Sequence, residues 1–146
     1  MNITQHTVDQ QSVHVVDGAV DSTALSRTHA LCRMLPFTRI RYGFRPNPET
    51  PLAYDHQWVH LVAEDERPML PLHTMADLVQ QVAGPEWTAG RVHINCITPG
   101  ERRHKHIDGA RDHVLVAVCF ANTEWDETWA GDLVFFEADN EVLRIS

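Results

Sequence analysis

The stretch 101-ERRHKHIDGARDH-113 places His104, His106 and Asp108 at alternate positions. On an extended strand, residues two apart project from the same face, so His106 and Asp108 can offer an imidazole nitrogen and a carboxylate oxygen to one ion. A second imidazole from a distant strand would complete the two-histidine, one-carboxylate set that holds non-haem Fe(II) with positions left open. That openness is what oxygen chemistry requires. The chain holds ten histidines, and at that abundance an HxD pair also arises by chance. The competing reading is a solvated loop coated by Arg102, Arg103, His104 and Lys105.

The elements that must position such a pair are legible on both sides of it. The segment 13-VHVVDGAV-20 reads as a strand running into a turn at Asp17-Gly18. Asp21 or Ser22 then caps a helix over 23–35, with Leu25, Leu31, Cys32 and Leu35 on its apolar face and Pro36 ending it. A strand follows at 37-FTRIRYGF-44, then a Pro-rich connector at 45–51, a strand at 57-QWVHLV-62 and a helix at 74–83 stopped by Gly84-Pro85. Glu64, Asp65 and Glu66 read as a solvated turn between them. From residue 91 the pattern becomes β-rich. RVHINCI, HVLVAVCFAN, DLVFFEA and EVLRI are short, β-branched or aromatic, and divided by turn-rich connections.

The expected fold class is α+β, mainly β. One domain spans 1–146, with a mixed α/β part at 1–90 and the β core beginning at 91. A two-sheet roll needs roughly eight strands to close its edges, so the four β segments of the second half predict a core continuing beyond Ser146.

The order of features from Asn95 onward resembles the Fe(II)- and 2-oxoglutarate-dependent oxygenases, most nearly their prolyl 4-hydroxylase-like branch. Asn95, Pro99-Gly100, His106 and Asp108, the apolar segment 114–121, Trp125, Trp129, Gly131-Asp132 and Phe135-Phe136 follow that family's sequence of parts. The resemblance covers 91–146. It implies a double-stranded β-helix, or jelly-roll, with N-terminal supporting helices and the first half of its core at 91–146. It implies His106 and Asp108 as iron ligands, Asn95 as a contact to 2-oxoglutarate, and an enzyme that hydroxylates a protein prolyl residue or a small molecule. Asn95 has a second reading, as a cap of the TPG turn.

The departures are specific. Ile97 stands where a tyrosine often helps hold 2-oxoglutarate, and Ala130-Gly131-Asp132 stands for Gly-Gly-Glu. The second iron-binding histidine and the basic partner of 2-oxoglutarate belong to late strands that would follow Ser146. His104 shares a strand face with His106 if the strand extends back that far, and His93 lies on the preceding strand; either could reach the metal, but polar pocket lining or surface is the simpler reading for both, and His113 is too close in sequence. A non-catalytic jelly-roll, either a cupin-like binding module or an inactive truncated homologue, is the different-class alternative. Trp125 and Trp129 either pack a long loop against the sheet or form an aromatic substrate box, and packing is the simpler reading.

Composition narrows the partners. Hydrophobic residues make up 43% and charged residues 22%, in the range of folded domains. A formal net charge of -8 opposes non-specific binding to nucleic acid. No run approaches the roughly 18 apolar residues of a membrane span, and the N-terminus lacks a basic and then apolar leader. A cytoplasmic protein without a membrane partner is expected. Cys32, Cys96 and Cys119 are odd in number and widely spaced, which predicts free thiols rather than a disulfide framework.

Overall fold

The computed structural model describes residues 1–41, 56–98, 114–129 and 131–145. Strand β1 (Asn2–Val8) and β2 (Gln11–Asp17) form an antiparallel hairpin. Its two-residue loop, Asp9-Gln10, has φ of 47° and 62°. Two consecutive positive values define the primed turn whose twist matches that of the paired strands. β1 is an element that the sequence reading lacks, because Asp-Gln is not a usual signal for that turn. Beyond β2, Gly18 has φ of 68°, which turns the chain toward the first helix.

Helix α1 (Ser22–Cys32) begins where Asp21 Oδ1 accepts the N–H groups of Thr23 and Ala24, both at 2.9 Å. It stops three residues before the predicted end. Pro36 lacks the N–H that would bond the Cys32 carbonyl, and it disfavours helical backbone at Leu35. The chain closes instead with a tight bond from Met34 N–H to the Leu31 carbonyl at 2.9 Å. Helix α2 (Leu72–Ala83) starts just after Pro71, whose φ of -75° suits a helix entry. Gly84, at φ 110°, ends it as expected, and the Trp87 indole donates to the Ala83 carbonyl at 3.0 Å. Half-buried Leu72, Met75, Ala76, Val79, Val82 and Ala83 recur at helical spacing along one stripe.

Strands β3 (Thr38–Arg41), β4 (His56–Leu61) and β5 (His93–Cys96) make an antiparallel sheet in the order β3-β4-β5. β6 (Leu133–Glu137) and β7 (Asn140–Ile145) form a third, two-stranded sheet with a bulge between Phe135 and Phe136. The mixed class with mainly antiparallel strands agrees with the expectation. Among the described residues the strands lie in three small sheets and close neither a barrel nor a two-sheet roll. The apolar segment 114–121, expected as a strand, is irregular and largely exposed. β-branched residues favour a strand only when a neighbour completes the ladder, and no described strand pairs with this one.

The buried hydrophobic residues among those described are Val8, Val59 and Val62, joined by buried Thr28, Gln57 and His60. One polar contact spans the ends of the chain: Asp9 N–H donates to Glu137 Oε1 at 2.8 Å, tying the tip of the first hairpin to β6. Among the described residues no helix is long and apolar enough to cross a membrane.

Candidate functional site

The three-stranded sheet carries the part of the predicted site that the structure describes. Asn95 lies on β5 opposite Val59 of β4 and is exposed. Strand alternation puts half-buried His93 and exposed Ile97 on the face of Asn95, with Thr38 and Val59 beside them through the β3-β4-β5 register. Ile94 and Cys96 occupy the opposite face with Trp58 and His60. His106 and Asp108, the predicted ligands, lie outside the described residues, as do His104, His113 and the Pro99-Gly100 turn. Among the described residues no group of three His, Cys, Asp or Glu side chains is placed to hold a metal ion.

The connection from the apolar segment to β6 is built around a tryptophan. The Trp125 ring meets Phe120 edge-on, with centroids 6.0 Å apart and planes at 77°. It also lies against Gly131, where a Cβ would stand 2.9 Å from the ring carbon Cη2 and where φ is 95°. Both the backbone and the close ring require glycine there. Asp126 fastens the same loop by accepting the Thr128 N–H at 2.8 Å and the Thr128 hydroxyl at 2.6 Å, contacts that lower its carboxyl pKa. Trp125 is thus a packing residue, and Trp129 is half exposed at 54%. Asp132, in the position compared with the family's acidic turn residue, is ion-paired with Arg144 of β7. Arg144 also makes a two-bond contact with Glu141, at 2.9 and 2.8 Å, and the carboxylates raise its already high pKa.

A charge pair between buried His60, on the opposite face of the sheet, and half-buried Glu66 was not anticipated. His60 Nδ1 lies 3.1 Å from the Pro36 carbonyl and Nε2 lies 2.8 Å from Glu66 Oε2. Both partners are acceptors, so the ring satisfies them only by donating from both nitrogens as an imidazolium. The bond to Glu66 and the Pro36 carbonyl raise the His60 pKa against the opposing effect of burial. Glu66 in turn accepts the Ala63 N–H at 2.8 Å, and that bond, with His60, lowers its pKa. Phe37 packs edge-on to the imidazole at 6.3 Å. Glu66 is therefore no solvated turn residue, although Glu64 and Asp65 are exposed as expected. With both nitrogens engaged, His60 has no lone pair for general-base or metal chemistry. The available signal was a histidine inside a strand followed six residues later by a carboxylate, a spacing that carries no recognised motif.

A shallow depression of about 420 Å³ is lined by Ser22, Thr23, Ser26, Arg27 and Ala30 of α1, and none of the predicted site residues lines it. No family model matches the chain, and neither does any curated protein or solved structure.

Proposed function

We propose that the protein is an Fe(II)- and 2-oxoglutarate-dependent oxygenase of the prolyl 4-hydroxylase-like type, with a jelly-roll core to which β5, β6 and β7 belong. The order of parts along the chain carries this reading. Asn95 is exposed on β5, the HxD stretch follows, and the apolar segment then leads to Trp125, packed on Gly131 at the entry to the LVFFE strand β6. In the proposal His106 and Asp108 hold the metal, and the Asn95 amide orients the cosubstrate by hydrogen bonding. Ile97 is exposed at 48% on the Asn95 side and would present an apolar wall where the family often has a tyrosine hydroxyl. Bound Fe(II) and 2-oxoglutarate supply one reaction: O2 is consumed, succinate and CO2 leave, and a substrate C–H bond becomes C–OH. The substrate is a protein prolyl residue or a small molecule. The free thiols of Cys32, Cys96 and Cys119 suit a reducing cytoplasmic setting.

Anaerobic addition of Fe(II) and then 2-oxoglutarate to the purified full-length protein tests the assignment. A weak visible charge-transfer band is expected, absent from His106→Ala and Asp108→Ala and weakened in Asn95→Ala. No band from the folded, full-length wild-type protein would reject the oxygenase reading in favour of a non-catalytic, cupin-like binding module. A band unaffected by either ligand substitution would place the metal elsewhere.

A further inference from the structure

Two segments outside the strands meet on the imidazole of His60. The connection from α1 to β3 presents the Pro36 carbonyl to Nδ1 at 3.1 Å, and the turn after β4 presents Glu66 Oε2 to Nε2 at 2.8 Å. The two segments are otherwise held in different ways. The turn is closed on itself: Ala63 N–H donates to Glu66 Oε2 at 2.8 Å, and Glu66 N–H donates to the Ala63 carbonyl at 3.1 Å. The connection is braced only as far as Met34, whose N–H bonds the Leu31 carbonyl; Pro36, exposed and without an N–H, is fixed through its carbonyl. Phe37 then packs edge-on to the ring and leads into Thr38, which pairs with Val59 beside His60.

We propose that His60 is a proton-controlled latch: doubly protonated, it fastens the Pro36 connection to β4, and loss of the Nδ1 proton releases the connection while the turn stays bound through Nε2. A neutral imidazole has one donor and one acceptor. The donor goes to the anion, because a hydrogen bond to a carboxylate is stronger than one to a neutral carbonyl. The bare Nδ1 then faces the Pro36 oxygen, acceptor against acceptor, and water takes over the exposed carbonyl. The groups around the ring confine control to this proton. Glu66 is the charged neighbour that acts on it. Pro36, Phe37 and, opposite on β5, Ile94 carry no titratable group, and Cys96 of the same face lies opposite Trp58. Glu64 and Asp65 of the turn are exposed, and the Arg67 guanidinium donates to the Gly90 carbonyl at 3.0 Å. The bond to Glu66 and the Pro36 carbonyl raise the ring's pKa above its ordinary 6.5, so the latch opens on the alkaline side of that value. The edge strand it loosens, β3, belongs to the sheet that carries Asn95.

Long-range proton–nitrogen NMR of the imidazole, with amide exchange followed from acid to alkaline pH, tests the latch on the wild-type chain. On the acid side of 6.5 both His60 nitrogens should carry protons. Beyond the transition Nδ1 should be bare and Nε2 protonated. The β3 amides paired to β4 should then exchange about tenfold faster than the rise that base catalysis gives every amide, while Ala63 N–H shows only that general rise. Glu66→Gln, which removes the anion, should move the His60 midpoint and the onset of faster β3 exchange to lower pH together. A ring uncharged at every pH, loss of the Nε2 proton in place of Nδ1, equal acceleration at β3 and Ala63, or midpoints that move independently would overturn the proposal.

Discussion

His60 is the residue whose surroundings most sharply restrict its chemical state. Its two acceptor partners require a cation, and Glu66 requires an anion, so the pair links β4, the turn at Ala63 and the Pro36 connection in one protonation state only. The pH dependence follows from both shifts. The raised His60 pKa gives stability that is complete below its ordinary 6.5 and is lost as pH rises through the folded value. The lowered Glu66 pKa gives stability that is complete above its ordinary 4.5 and is lost as pH falls through the folded value. The contribution therefore peaks between 4.5 and 6.5. Urea midpoints measured from acid to alkaline pH should show the wild type exceeding Glu66→Gln most in this window, with the difference shrinking on both sides. A difference that keeps growing above neutrality would mean that His60 is neutral in the fold. None of this was legible in HLVAEDE, because three adjacent acidic residues read as a solvated turn until the backbone directs one of them inward.

At the scale of elements, the turns carry most of the backbone strain, and substitutions there have signed consequences. Gln10 is held at φ 62° in the primed turn. Gln10→Gly creates the favoured Asp-Gly turn and should stabilise the protein by about 0.5–1 kcal/mol in chemical denaturation. Gly131→Ala has the opposite sign: it places a Cβ 2.9 Å from the Trp125 ring at φ 95° and should cost about 1–3 kcal/mol. Trp125 fluorescence would report that loss as a local shift as well as a lower midpoint. The helices were readable because Asp21, Pro36 and Gly84 are unambiguous punctuation, and β4 to β7 because their apolar residues cluster between turns. Of the first hairpin, β2 falls on the strand expected at 13–20, whereas β1 was hidden by polar residues at alternate positions and by an atypical loop. The segment 114–121 shows the converse limit, since composition records a preference for strand but not whether a partner is in place. Of the candidate site, the sequence placed Asn95 on a strand, and β5 carries it there.

At the scale of the whole molecule, the described residues combine little buried apolar surface with much exposed apolar surface. Val114, Val116 and Val118 are 49%, 49% and 56% exposed, in a segment without a charged residue from Val114 to Thr123. Such a segment is a template for association between chains. Val118→Lys should lower light scattering in concentrated samples while changing stability by no more than about 0.5 kcal/mol. An unchanged scattering profile would show that the segment takes no part in self-association. The three valines buried among the described residues have a calorimetric consequence too. The heat-capacity increment on melting is proportional to the apolar surface that melting newly hydrates. The described portion has little such surface left to hydrate. Its share of that increment should be small, its free-energy curve against temperature shallow, and its thermogram broad rather than sharply peaked.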